Sequence, residues 1–349
     1  MQVQQYGSLP GGEDILLYRL ENANGMSVEI LNWGGVIRSL RVPGRDGTFA
    51  DVVMGFDTLA EQLQRGGWNC GIVGRCANRL AGGRFYVRGK EYQIDIEPGA
   101  PHVLHGGSGN YARKRFCGEA DADAEGEKLT LSYHDHGEGG FPGEVQVWVT
   151  YVLTPHNELV LRYRALPSAD TVFNITSHCY FNLAGHGSGR IDEQVLQLDA
   201  DYYLPTAAHS LPSGETLSVE GTPFDFRTPR RLGEGLASDH PQILKQNGYD
   251  HNLCLSGGGY RRVGYACDPA SGRKMELLTD LPGVQLYTSG NEKPGQGCYK
   301  DGASYDRFHA FCLETQYFPN ATAYSHFPQP VLLANVPFTS QTAFRFSVE

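Results

Sequence analysis

Along this chain, apolar and polar residues alternate over short runs far more often than they recur at helical spacing. KLTLSYH (128–134) places Leu129, Leu131 and Tyr133 on one side of an extended segment, since successive strand side chains point to opposite faces. QVWVTYVL (146–153) and ELVLRYRA (158–165), joined by TPHN, predict a hairpin. A second hairpin is expected in RFYVRGKEYQI (84–94), and shorter strands at 195–199, 284–288, 310–318 and 343–348. NITSHCYFNL (174–183) also alternates. As a strand it would turn Ile175, Ser177, Cys179, Phe181 and Leu183 towards a core, and Asn174, Thr176, His178, Tyr180 and Asn182 away from it. The best helix is DTLAEQLQRGG (57–67), where Thr58 and Glu61 have capping-box spacing and Gly66-Gly67 stops the turn.

No segment alternates strands with helices as a parallel α/β sheet would. No G-x-G-x-x-G opens a helix, and no Walker-type lysine follows a glycine loop. The pattern therefore predicts an all-β fold, one large antiparallel β-sandwich domain spanning 1–349 with few short helices. Composition strengthens this picture: 44 Gly and 19 Pro beside 19 Tyr and 16 Phe suit short strands joined by tight turns.

A formal net charge of −10 argues against nucleic-acid or anionic-membrane partners. No window approaches eighteen consecutive apolar residues, so no membrane span is expected. MQVQQYGSLPGGEDILLYRL lacks a basic stretch followed by an apolar run, so no signal peptide is expected. The eight cysteines (70, 76, 117, 179, 254, 267, 298 and 312) include no C-x-x-C pair. They read as buried free thiols in a reducing cytoplasm rather than a disulfide or zinc framework.

Five stretches carry polar groups that a half-buried strand does not need. NITSHCYFN offers His178. In FCLETQYF (311–318), Glu314 sits among Phe311, Leu313 and Phe318; partial desolvation there would raise its pKa and suit a base, although a strand-edge glutamate in water has the same spacing. In VLHGGSGNY (103–111), His105 precedes Gly106-Gly107, where backbone can approach a ligand closely; the alternative is a solvated loop histidine. GRCANR (74–79) sets Arg75 and Arg79 around Asn78, donors suited to hydroxyls. GYDHN (248–252) offers Asp250, which could accept from vicinal hydroxyls or merely shape a turn. His134 and His136 would share a strand face, but no third ligand accompanies them at a recognisable spacing, so no metal site is expected. No G-x-S-x-G elbow supports a serine hydrolase. Taken together, planar polar side chains with aromatics nearby are the chemistry of a neutral polyol site.

These motifs resemble the aldose 1-epimerase (galactose mutarotase) family. NWGGVIRSL, GRCANRLAGGRF, LHGG, GEGGFPGEVQVWVTY, FNITSHCYFNLAG, LPSGE, GTPFDFR, GYDHN, GVQLYTSGN and CLETQYFPN follow in the family's order through nearly the whole chain. The resemblance implies a sandwich with an open cleft for a free aldose, whose α and β anomers it interconverts without a cofactor. It implies His178 as general acid and Glu314 as general base. His105, Arg75 and Asp250 would bind hydroxyls or the ring oxygen, with Asn78 and Gln285 as site neighbours. Acid and base are expected on opposite sides of the sugar, with Glu314 ionised at its ordinary pKa of about 4.3 and His178 partly protonated at about 6.5. The partner is then a small-molecule aldose, and the chain a monomer or homodimer.

Phe116 stands where the family often has tryptophan, a change expected to alter a cleft wall. Pro319-Asn320 replaces the commoner Pro-Asp, and Cys179 a commoner serine. Two other readings stay open. One is a phosphorylated hexose held by Arg75, Arg79, Arg84 and Arg88. The other is a non-catalytic sugar-binding module, which would have no need of both His178 and Glu314.

Overall fold

The computed structural model describes residues 1–291 and 299–349, so Cys298 lies outside the described residues. Its centre is a nine-stranded antiparallel sheet. In spatial order its strands are Cys117–Asp123, Gly126–Asp135, Val145–Leu153, Glu158–Pro167, Phe338–Val348, Arg273–Thr279, Arg261–Cys267, Val195–Leu198 and Arg230–Arg231. The predicted hairpin forms its middle, with Val149 opposite Tyr163 and Leu153 opposite Leu159. The alternation read from the sequence decides which face is buried. Leu129, Leu131, Val147, Val149, Leu161 and Phe344 are in the core, while Lys128, Thr130, Trp148 and Arg162 lie on the other face.

That apolar face belongs to one hydrophobic cluster with the first five-stranded sheet, Gln2–Ser8 through Phe49–Asp51, which contributes Leu17, Val28, Ile30 and Leu40. Each fully buried aliphatic side chain contributes about 1.5–3 kcal/mol. The 84–94 hairpin pairs Arg84–Val87 with Lys90–Gln93 and turns at Arg88 and Gly89, both at positive φ. The predicted helix runs Leu59–Arg65. Thr58 Oγ1 accepts the Glu61 N–H at 3.3 Å, and the Glu61 carboxylate accepts the Thr58 N–H at 3.1 Å.

A second five-stranded sheet, ordered Leu217–Ser218, Ala200–Tyr203, Asp250–Leu255, Gly283–Tyr287 and Cys312–Gln316, carries the chemistry. Its register sets Asn252, Gln285 and Glu314 in one row across three strands, and Asp250, Tyr287 and Cys312 in the next. Period-two alternation puts both rows on one face. The opposite face buries Leu253, Val284, Leu286 and Leu313.

NITSHCYFNL departs from the simple alternating strand. Only Thr176–Ser177 is regular strand, paired with Ile72–Val73, and single bridges hold Asn174 to Cys76 and Phe181 to Val53 and Phe311. The whole stretch is buried on both sides because it threads between neighbouring segments, not over a sheet with a wet face.

Candidate active site

Glu314, on the buried polar face just described, meets His178 from the threaded stretch and His105 from the loop beyond strand His102–Leu104. The His178 backbone is fixed at both ends of its peptide unit: its N–H donates to the Gly71 carbonyl at 2.9 Å, and its carbonyl accepts the Cys70 N–H at 3.0 Å. His178 Nε2 then lies 3.6 Å from Glu314 Oε1. The two are therefore side by side, not on opposite walls as expected from the sequence. His178 Nδ1 faces the Cys312 thiol at 3.6 Å, two residues along the strand from Glu314.

His105 is held at positive φ, and its N–H donates to the Asn78 carbonyl at 2.9 Å. The Asn78 N–H returns a bond to His105 Nδ1 at 3.2 Å. A neutral His105 that accepts at Nδ1 must carry its proton on Nε2, so it offers a donor to a ligand. The LHGG glycines serve this packing, not a ligand. A Cβ on Gly106 would come within 2.3 Å of the Gly74 carbonyl oxygen, so only glycine lets this loop seat on the GRCANR segment.

Asp250 joins from strand Asp250–Leu255, across Gly283–Tyr287 from the strand of Glu314. It accepts from Gln285 Nε2 at 2.6 Å and pairs with Arg79 Nη2 at 3.4 Å. Gln285 thus orients Asp250 from behind. Around these groups lies a cleft of about 570 Å³, walled by Trp68, Tyr180, Tyr287 and Phe56 with Asn78 and Arg79 at its base. The Trp68 ring is 5.1 Å from His105 and 6.3 Å from His178, and Tyr180 stacks on His178 at 5.0 Å. Such rings match the apolar faces of a pyranose. Trp68 went unread in the sequence, although it directly follows the Gly66-Gly67 helix stop that delivers it to the cleft.

Burial sets the electrostatics. Desolvation raises Glu314 well above its ordinary value, reinforced by the Asp250 charge and only partly opposed by Arg79. Desolvation pushes His178 down to about 4, against smaller raising effects from a backbone hydrogen bond and Asp250. It also lowers His105 strongly, aided by His178 and Arg79. Burial therefore favours a neutral carboxyl beside a neutral imidazole, against the ionised Glu314 and partly protonated His178 expected from ordinary values. Glu314 Oε2 is buried with no hydrogen-bond partner among the described residues. Such a group is costly to leave unpaired and marks where a ligand hydroxyl fits.

Arg75 is a correction. It is fully buried, with Nε and Nη2 on the Asp135 carboxylate at 2.8 and 2.7 Å, and further bonds to the Pro142 and Gly143 carbonyls. With its donors committed to the fold, it holds no ligand in the cleft; Arg79, four residues on, occupies that place. Nor do the proposed phosphate-binding arginines assemble. Arg84 and Arg88 are exposed on their hairpin, near Glu91 and Asp170. Phe116 is likewise no cleft wall: it is fully buried against Tyr133, with ring centroids 5.4 Å apart. Asn320 accepts the Ala81 N–H at 3.0 Å and donates its own N–H to the Arg79 carbonyl, bracing the strand that carries Arg79.

An antiparallel supersandwich with a polar, aromatic-walled cleft and a buried imidazole–carboxyl pair defines a carbohydrate epimerase. Residues 16–345 match the family model for aldose 1-epimerase. The chain is 41% identical to galactose mutarotase of Bos taurus, over 98% of its own length and 97% of that protein, and 40% identical to its Homo sapiens counterpart over the same shares. It is 29% identical to aldose 1-epimerase of Escherichia coli K12, over 97% of each. Among solved structures, galactose 1-epimerase from Lactobacillus acidophilus NCFM superposes with a TM-score of 0.88 at 26% identity, over 99% of this chain and 98% of that one. This chain belongs to the aldose 1-epimerase family and is an isomerase acting on carbohydrates. No helix among the described residues is long and apolar enough to cross a membrane.

Proposed function

We propose that the chain, acting as one domain, interconverts the α and β anomers of free hexoses such as galactose or glucose, with His178 as acid and Glu314 as base. The carrying observation is the 3.6 Å approach of His178 Nε2 to Glu314 Oε1 on the cleft floor. The hydroxyl and ring oxygens of a hemiacetal are bonded to one carbon, so neighbouring groups can serve both. In the opening step the pair's proton passes from Glu314 to His178 across their 3.6 Å approach, and ionised Glu314 then takes the proton of the anomeric hydroxyl while protonated His178 delivers one to the ring oxygen. The ring C–O bond breaks and an open aldehyde forms. Rotation about the C1–C2 bond presents the other carbonyl face. Neutral His178 then takes the proton from the C5 hydroxyl, protonated Glu314 returns one to the carbonyl oxygen, and the ring closes.

Each turnover passes through neutral Glu314 and neutral His178 when the sugar is open. This is the protonation state that burial favours, so the site is tuned to stabilise the open-chain stage. His105 Nε2–H and the Asp250 carboxylate orient the sugar, Asn78 and Gln285 hold those two in place, and no cofactor takes part in the cycle. Polarimetry of freshly dissolved α-galactose and α-glucose tests the reading. Acceleration over buffer is expected, with glucose 6-phosphate no better a substrate. Absence of acceleration would reduce the chain to a sugar-binding module, and a marked preference for the phosphate would replace the free-hexose reading.

A further inference from the structure

Strand pairing supplies what the HDH motif lacks in sequence. His134 lies in strand Gly126–Asp135, His136 follows that strand directly, and Glu144 directly precedes strand Val145–Leu153. Asp135 pairs with Val145 and His134 with Gln146, so one further step of the same register sets His136 beside Glu144. His134 Nε2 is 2.9 Å from Glu144 Oε2, and His136 Nδ1 is 3.7 Å from Glu144 Oε1. The two imidazoles lie face to face, with centroids 4.2 Å apart and planes at 30°. All three ligand-type atoms fall within 4.8 Å of one another, and all three residues are exposed.

We propose that His134, His136 and Glu144 bind one late first-row divalent cation of the Zn²⁺ or Ni²⁺ type. Adjacent ligands on a tetrahedral ion with bonds of about 2.0–2.1 Å stand roughly 3.3 Å apart; the two histidines approach different oxygens of Glu144, at 2.9 and 3.7 Å, so a small turn of these exposed side chains brings one oxygen and both ring nitrogens around one ion. Two imidazoles and one carboxylate favour such ions over Mg²⁺ or Ca²⁺, which take oxygen ligands. Exposure leaves the remaining positions to water.

The site's place in the fold gives it a consequence. Its ligands close the two ends of the 137–143 connection, whose Pro142 and Gly143 carbonyls hold Arg75. The Gly139 carbonyl in the same connection accepts the Asp95 N–H. Gly109, just beyond the His105 loop, packs so closely on Glu138 that a Cβ there would lie 2.6 Å from its carbonyl oxygen. A bound cation thus fastens a segment that backs the cleft without touching the reacting atoms.

His105, His178 and Glu314 form a second such cluster within 4.8 Å, so the test must tell the two apart. Zn²⁺ binding to the full chain is measured by calorimetry for wild type, the double variant His134→Asn/His136→Asn, and Glu144→Gln. One Zn²⁺ equivalent is expected in wild type and lost in the double variant, whose circular dichroism and mutarotation stay as in wild type. Glu144→Gln should weaken that equivalent about tenfold or more, and Mg²⁺ should give no signal. Retention of the equivalent in the double variant would assign it to the cleft and overturn the proposal. No Zn²⁺ uptake by wild type, or unchanged affinity in Glu144→Gln, would overturn it equally.

Discussion

Two regions of this molecule share one formula, two imidazoles and a carboxylate with ligand-type atoms within 4.8 Å, in opposite surroundings. His105, His178 and Glu314 are 5%, 4% and 2% exposed, whereas His134, His136 and Glu144 are open to solvent. Burial makes charge expensive in the first set and favours its neutral forms. In the second, water solvates whatever charge is present, and the groups are free to ligate a cation that carries its own. Under the two proposals made above, position in the fold, not residue type, separates proton transfer from metal binding.

The largest expected effect breaks this contrast directly. Glu314→Gln and His178→Asn should each lower turnover by about two to four decades, the usual range for a lost acid or base, as read by polarimetry. Glu144→Gln, the same chemical change in the exposed set, should leave turnover within about twofold. Comparable losses in both sets would mean that burial is not what distinguishes them.

The next effect separates the two arginines of GRCANR. Arg75→Ala removes the cation from the Asp135 carboxylate, which burial would raise but which the Arg75 guanidinium holds well below the usual carboxylate range, and leaves it the Tyr111 hydroxyl and the Gly137 and Glu138 N–H groups. Breaking a buried pair from one side costs roughly 3–5 kcal/mol, so urea unfolding should show a large loss of stability. Arg79→Ala should raise KM and leave stability nearly unchanged. The reverse pattern would return Arg75 to the cleft.

A smaller effect concerns stability against pH. Glu314 is raised in the folded chain, so its contribution is present below the unfolded carboxyl pKa of about 4.5 and is lost as pH rises through the folded value. His178 is depressed, so its contribution is full above about 6.5 and is lost as pH falls towards about 4. Glu314→Gln should therefore gain stability relative to wild type as pH rises from 5 to 9. A difference independent of pH would show that Glu314 bears no such penalty. The smallest effect is a flat one. The ionised and neutral forms of the pair hold the same number of protons, so kcat/KM should hardly change with pH between His178's lower limit and Glu314's upper one.

Much of this fold was legible because alternation and turn residues act locally. Val145–Leu153, Glu158–Pro167, the Arg88-Gly89 turn and the Thr58–Glu61 capping box all depend on residues within a few positions of one another. The site was legible only through the family motifs, and then unevenly. Arg75 and Arg79 look interchangeable in sequence because Asp135, which claims Arg75, lies 60 residues away. NITSHCYFNL read as a strand with one face turned away from the core because alternation cannot reveal segments threaded on both sides. The side-by-side placement of His178 and Glu314 depends on a contact 136 residues apart in the chain, which no local pattern encodes. Glu144 was missed beside the HDH motif for the same reason in miniature: strand register, not spacing, brings it to His134 and His136.

The most direct test of the central claim, that burial disfavours charge on the His178–Glu314 pair, is an NMR titration of the His178 imidazole, assigned against His178→Asn. The structure predicts a neutral ring down to a midpoint near pH 4. A midpoint near 6.5, the value of a solvated histidine, would contradict it.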